Sequence, residues 1–321
     1  MSTLNKAIGG YFELELPPPS QTKYQDALKY QSARAAFLAL LRQSPNVKRV
    51  FMPYYICDAM LAPVKAAGKD ICFYGLDERL AVNSQVTLGA GDLLLYVNYF
   101  GICTKQCEEL LQRFDPAQIV LDCSQAFYAR LQDCYATIYS PRKFFGIPDG
   151  GLLATASPIS PPEFQDTGSK DRIWHLIKRL GGTAEDGYQD FKNAEDSLDD
   201  MEPRGMSNIT QRLLQAVNFE AIRVARNQNF AYLRNFLDKT NALEIPPGVD
   251  GPHCYPYLPA RPVKKENLIE NRVFVATYWP DVLRRVDDSS FETKLVNQCI
   301  PIPCDQRYSA ETLVRVLNFI L

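Results

Sequence analysis

The chain has 321 residues, 46% hydrophobic and 22% charged, a globular balance that suits one large domain with an attached lobe. Its 35 basic and 37 acidic residues leave a formal net charge of -2, and no Lys/Arg block is present. The basic field that nucleic acid requires is therefore missing, and a small-molecule partner is expected.

The opening segment, MSTLNKAIGGYFELELPPPS, has neither an apolar core after its early Lys nor a small-residue cleavage site, so no secretory leader is predicted. No run reaches the roughly 18 apolar residues of a membrane span. Nine cysteines without an export signal predict reduced thiols and a cytoplasmic protein. The closest pairs, Cys103 with Cys107 and Cys299 with Cys304, have no nearby His, and the chain holds only His175 and His253. These thiols read as small buried hydrophobes rather than metal ligands.

From about residue 48 to 155, short apolar runs alternate with helix-length segments. The runs Val50–Met52, Ile71–Tyr74, Leu93–Val97, Ile119–Leu121, Ala136–Tyr139 and Gly151–Thr155 are continuous rather than alternating, as in strands covered on both faces. Helices are predicted over Asp58–Ala67 and Thr104–Phe114. This repetition implies a mostly parallel sheet with flanking helices, whose ligands sit at the carboxyl ends of strands.

Beyond it, Ser157–Gly168 reads as a surface connection and Arg172–Leu180 as a short helix. Asp186–Arg204, with seven acidic residues, reads as a solvated, mobile stretch. One long helix is expected over Ser207–Leu237, capped by Ser207. After the Pro/Gly-rich Ile245–Pro262, a strand is predicted at Arg272–Ala276 and an amphipathic helix at Ala310–Ile320. His175 and Trp279 read as packing residues. The expected division is residues 1–235, an arm and large domain, and residues 236–321, a smaller C-terminal α/β lobe.

Asp122 follows an apolar run directly and is trailed by Cys-Ser-Gln125-Ala126. After the next run comes Tyr139-Ser140-Pro141-Arg142-Lys143-Phe144-Phe145, then Asp149-Gly150-Gly151. A Lys between aromatics, ahead of a Gly-Gly, is unusual for a solvated loop. Asp-x-x-Gln-Ala, Ser-Pro-Arg-Lys and Asp-Gly-Gly, in this order, resemble the DegT/DnrJ/StrS sugar aminotransferase family. Further segments are similar in the same order: Gln31 to Phe37, Pro53 to Cys57, Val97 to Gly101, Met206-Ser207 and Pro303 to Tyr308. The chain departs from the family pattern in a shorter Ser-to-Lys loop, in Ala33-Arg34 where the family has Gly-Thr, and in Pro203-Arg204-Gly205 where it has Asn-x-Arg.

The resemblance implies a fold-type I pyridoxal-phosphate transferase, with a mostly parallel sheet and a smaller C-terminal lobe. It implies that Lys143 forms a Schiff base with the cofactor and shuttles the proton, and that Asp122 pairs with the pyridinium nitrogen. Gln125 would bond the ring 3-oxygen. Ser140, with Ser32, Ala33 and Arg34 at a helix start, would hold the phosphate. Tyr55 or Cys57 would lie on the ring face, and Asn98, Tyr99 and Arg307 are candidate substrate contacts. No metal is implied. The implied reaction moves an amino group, with glutamate as donor, onto a nucleotide-linked keto sugar for surface polysaccharide or secondary metabolism, in a homodimer. Two alternatives remain: a binding or regulatory protein on the same fold, and a sugar dehydratase or lyase, which in this family replaces the Lys with His.

Overall fold

The computed structural model describes residues 8–19, 24–83 and 85–321. Residues 1–7 and 20 of the opening segment lie outside them. A short strand, β1 (Leu28–Tyr30), leads into α1 (Ala33–Arg42). Its Ala/Leu-rich sequence favours helix, and Ser32 starts it by accepting the Ala35 N–H at 3.1 Å. Then follow β2 (Arg49–Pro53), α2 (Ala62–Ala66), β3 (Asp70–Tyr74), β4 (Asp92–Val97), α3 (Thr104–Arg113), β5 (Ile119–Asp122), β6 (Ala136–Tyr139) and β7 (Gly151–Ala154). All six expected strands are present, and the expected helix at 58–67 is a 3-10 turn, Asp58–Met60, followed by α2.

The seven strands form one sheet in the order β1-β7-β6-β5-β4-β2-β3. From β6 to β3 every pair is parallel, while β7 runs antiparallel to β6 and β1 antiparallel to β7. β4 and β5 are buried at every position, as strands covered on both faces must be. Two reversals beyond β6 have a consequence for the site. The start of β7 and the end of β1 fall at the same sheet edge as the carboxyl ends of the parallel strands.

The second half comprises α4 (Ser169–Arg172), α5 (Trp174–Gly181), α6 (Tyr188–Ser197), α7 (Asn208–Gln215), α8 (Phe219–Leu237), β8 (Cys254–Tyr257), α9 (Lys265–Glu270), α10 (Phe291–Gln298), β9 (Ile300–Pro303) and α11 (Ala310–Ile320). β8 and β9 pair antiparallel into a separate small sheet. Among the described residues no helix is long and apolar enough to cross a membrane.

Three expectations are corrected. The acidic stretch 186–204 contains α6, and three of its carboxylates, Glu195, Asp199 and Glu202, are paired with arginines, the latter two while still exposed. The long helix over 207–237 is two helices: α7 ends at Gln215, and the Asn218 side chain starts a new one by accepting the Ala221 N–H. The strand at 272–276 does not form, because the Val273 N–H bonds back to the Leu268 carbonyl and closes α9 instead of joining a ladder. Ser207 caps α7 as expected. His175 packs on Phe191, and Trp279 on Tyr55 and Tyr99. Cys103, Cys107, Cys299 and Cys304 are buried.

Candidate active site

The topology brings most of the expected residues to one edge. Asp122 ends β5 and is buried, its carboxylate accepting the Ser124 N–H at 2.8 Å. Ser140 follows β6, and a 3-10 turn, Pro141–Lys143, carries Lys143 away from the same edge. Pro141 opens that turn at the position where its missing N–H costs nothing. Lys143 is half-buried; its N–H donates to the Ser140 carbonyl, and its amine makes no hydrogen bond or ion pair among the described residues. Its charge acts on Cys57, His253 and Glu195.

Gln125 lies behind Asp122, almost fully buried. Its carbonyl oxygen accepts the Phe100 N–H at 2.7 Å, while its Nε2 is buried without a partner among the described residues. A buried amide donor left unpaired costs roughly 1–3 kcal/mol, so it marks a place where an acceptor belongs. Phe100 itself holds a left-handed backbone, φ 57°, unusual for a bulky residue. The turn is held by Gln125 and by Asn98, whose side-chain oxygen accepts the Cys103 N–H at 2.9 Å.

The start of α1 meets this group because two glycines let it. A Cβ on Gly151 would stand 2.2 Å from the Ser32 carbonyl carbon, and Gly150 has φ +120°. The Gly150 N–H also donates to the Gln31 carbonyl. In the first turn, Ser32 takes the Ala35 N–H with its hydroxyl and the Ala36 N–H with its carbonyl. The amides of Ala33 and Arg34, which have no intrahelical acceptor, remain for an anion.

Cys57 ties the parts together. Burial pushes its thiol up from the usual value, Lys143 acts against that, Asp122 adds to it, and Arg34 opposes it. One thiol is thus within electrostatic reach of Lys143, Asp122 and Arg34. Tyr55 goes elsewhere: it is buried among Tyr99 and Trp279, near Cys299 and Cys254. Of the two ring-face candidates, Cys57 is the one beside Lys143 and Asp122. Tyr99 is also fully buried, its hydroxyl bonded to the Tyr55 carbonyl at 2.9 Å. Asn98 and Tyr99 therefore shape the turn from within. Arg307 lies outside this group, bonded to Asp305 at 2.7 and 2.8 Å.

Several residues at the site carry no local sequence signal. Asp149 is fully buried and accepts from Arg172 Nε at 3.0 Å, from Ser169 and from Thr210, anchoring the segment after Lys143 to α4 and α7. Arg142 pairs with Glu195 of α6, one bond being 2.9 Å, and Arg34 pairs with Asp199. Burial raises the Glu195 carboxyl, but Arg142, then Arg34 and Lys143, bring it below its usual value. His253 is pushed down to about 3 by burial, then by Arg226 and Lys143, and is a neutral imidazole. Its Nε2 meets the Tyr278 hydroxyl at 3.0 Å, and its Nδ1 is buried unpaired. Only the spatial neighbours, 20 to 165 residues apart in the chain, give these groups a role.

No family model and no curated protein matches the chain. Solved structures do. A DegT DnrJ EryC1 StrS aminotransferase from Brucella abortus superposes with a TM-score of 0.61 at 14% identity, over 93% of this chain and 85% of that one. PseC from Helicobacter pylori, an aminotransferase involved in the biosynthesis of pseudoaminic acid, gives 0.60 at 15% identity, over 92% and 85%. The sugar aminotransferase CalS13 from Micromonospora echinospora gives 0.59 at 15% identity, over 92% and 86%. At such identities the likeness establishes the fold, that of fold-type I pyridoxal-phosphate enzymes, over nearly the whole chain.

Proposed function

We propose that the chain is a pyridoxal-phosphate aminotransferase that moves an amino group from glutamate onto a keto sugar carried by a nucleotide. The observation that carries the reading is the Gln125 amide, buried and unpaired among the described residues, three positions after Asp122 at the end of β5. A ring with a protonatable nitrogen, a 3-oxygen and a phosphate fits what the residues offer. Asp122 would face the nitrogen, Gln125 the 3-oxygen, Cys57 the ring face, and Ser140 with the amides of Ala33 and Arg34 the phosphate. When bound, that cofactor supplies an electron sink for the carbon that loses its proton. Lys143, half-buried and with its amine unbonded among the described residues, would hold the cofactor and move the proton.

The sugar is supported by the fold neighbour CalS13, a sugar aminotransferase, and its nucleotide by the motif resemblance. All nine cysteines are free, in keeping with a reduced, cytoplasmic setting. Exposed Trp174, Ile177, Leu180 and Phe191 offer apolar surface for a homodimer. A role in surface polysaccharide or secondary metabolism follows from the same reading. The test is a spectral titration of the cofactor-loaded protein with L-glutamate. The band near the visible edge gives way to the near-ultraviolet absorbance of the aminated cofactor; a band that persists at saturating glutamate contradicts transamination and favours a binding protein.

A further inference from the structure

Away from Lys143, a cleft of about 480 Å³ opens between the end of α5, the 272–274 segment and α11. Four arginines line it, Arg179, Arg272, Arg307 and Arg315, with Phe274 and Tyr308, and no acidic residue does. This concentration is unexpected in a chain of net charge -2. Two of the four are matched: Arg272 bonds Glu185 at 3.0 Å, and Arg307 bonds Asp305. Among the described residues Arg315 is held only by the Asn271 carbonyl, which leaves its charge in place. Arg179 has neither a hydrogen bond nor an ion pair among the described residues. Four guanidinium groups against two carboxylates leave two positive charges facing the cleft.

Like charges gathered this way repel unless a ligand answers them. Planar guanidinium forks match the paired oxygens of phosphate, as they do those of carboxylate. The volume suits a small molecule rather than a single ion. Phe274 is half-exposed at its wall and Tyr308 stacks under Arg307, with the guanidinium 5.2 Å from the ring centre. We infer that this cleft binds a small molecule bearing a diphosphate, with Arg179 and Arg315 as its principal charge partners.

Two sources of such a ligand are consistent with the position. Gln306, next to Arg307, donates to the Phe144 carbonyl at 3.0 Å, so the cleft wall is joined to the loop that carries Lys143. The diphosphate could therefore be part of a substrate, which rests on the function proposed above, or belong to a separate effector.

The test is calorimetric titration of the cofactor-loaded protein with uridine diphosphate and with inorganic pyrophosphate, at low and high salt. Both bind, more weakly as salt rises. Arg179→Ala and Arg315→Ala each weaken binding about tenfold or more, whereas Arg284→Ala, an exposed arginine outside the cleft, leaves it unchanged. Arg179 and Arg315 are exposed, so these variants keep the fold, which circular dichroism checks. No binding at millimolar ligand, or affinity retained in both alanine variants, overturns the inference. The glutamate-driven spectral change is measured on the same variants and involves no diphosphate, so loss of binding with that change intact separates the cleft from the cofactor site. If the ligand is the substrate's own diphosphate, the variants raise KM for a nucleotide-linked keto sugar and leave kcat; if it is an effector, KM stays and added uridine diphosphate does not compete with the sugar.

Discussion

Asp122, Gln125 and Lys143 were legible because each stands within a few residues of a strand end, and strand ends in a parallel sheet are where ligands bind. The residues that complete the site were not. His253, Glu195, Asp199 and Arg172 reach it from distant elements, and no local pattern distinguishes them from surface or core residues. Gly151 shows how sharply one position is constrained: replacing it with Ala puts a methyl 2.2 Å from the Ser32 carbonyl carbon. Backbone cannot yield as a flexible side chain does, so Gly151→Ala costs about 3 kcal/mol and moves the α1 amides off the phosphate position. Denaturant unfolding checks the first effect and cofactor affinity the second. His253 makes a pH prediction. Unfolded, it takes a proton near its ordinary value of 6.5; folded, it does so only at about 3. Between those values the unfolded chain binds more protons, so the term lowers stability as pH falls through 6.5 and is absent above it. His253→Asn therefore flattens the loss of Tm between pH 6.5 and 4 relative to the parent; parallel profiles contradict the assignment.

Among the elements, strands were easiest to place from the chain, since six continuous apolar runs became six strands. The seventh, β1, is only three residues long and carries a Lys, too little for a pattern. α6 was missed for a different reason. Apart from Ala194 its residues are not fully buried, so hydrophobic periodicity could not announce it. It is held instead by Arg142–Glu195, by Lys178–Asp190 and by the Lys192 ammonium over the Tyr188 ring. Arg142 adjoins Lys143, so α6 is fastened to the candidate site by charge. Glu195→Gln removes the one partly buried pair and leaves Arg142 without its carboxylate. Amide exchange over residues 188–197 is then expected to rise while that of β4 and β5 stays the same; unchanged protection of α6 contradicts this role. The break at 216–218 follows from Asn218, whose capping side chain competes with helix continuation.

For the molecule as a whole, composition limited the partner to a small molecule, and alternation of strands and helices led to the sheet. The C-terminal lobe was less legible. Its strands β8 and β9 both contain Pro, which hides them from strand propensity, while the apolar Arg272–Ala276 run that resembled a strand is not one. What unites the two regions is the edge where β1, β4, β5, β6 and β7 present their ends, with His253 and Gln306 reaching in from the lobe. The proposed function requires one covalent attachment at that edge, through Lys143. Borohydride reduction of the cofactor-loaded protein, followed by proteolysis and mass analysis, tests it directly. The reduced cofactor is predicted on the peptide that contains Lys143, and is lost in Lys143→Ala. Attachment at another lysine, or a Lys143 peptide of unmodified mass in the loaded protein, would contradict the account.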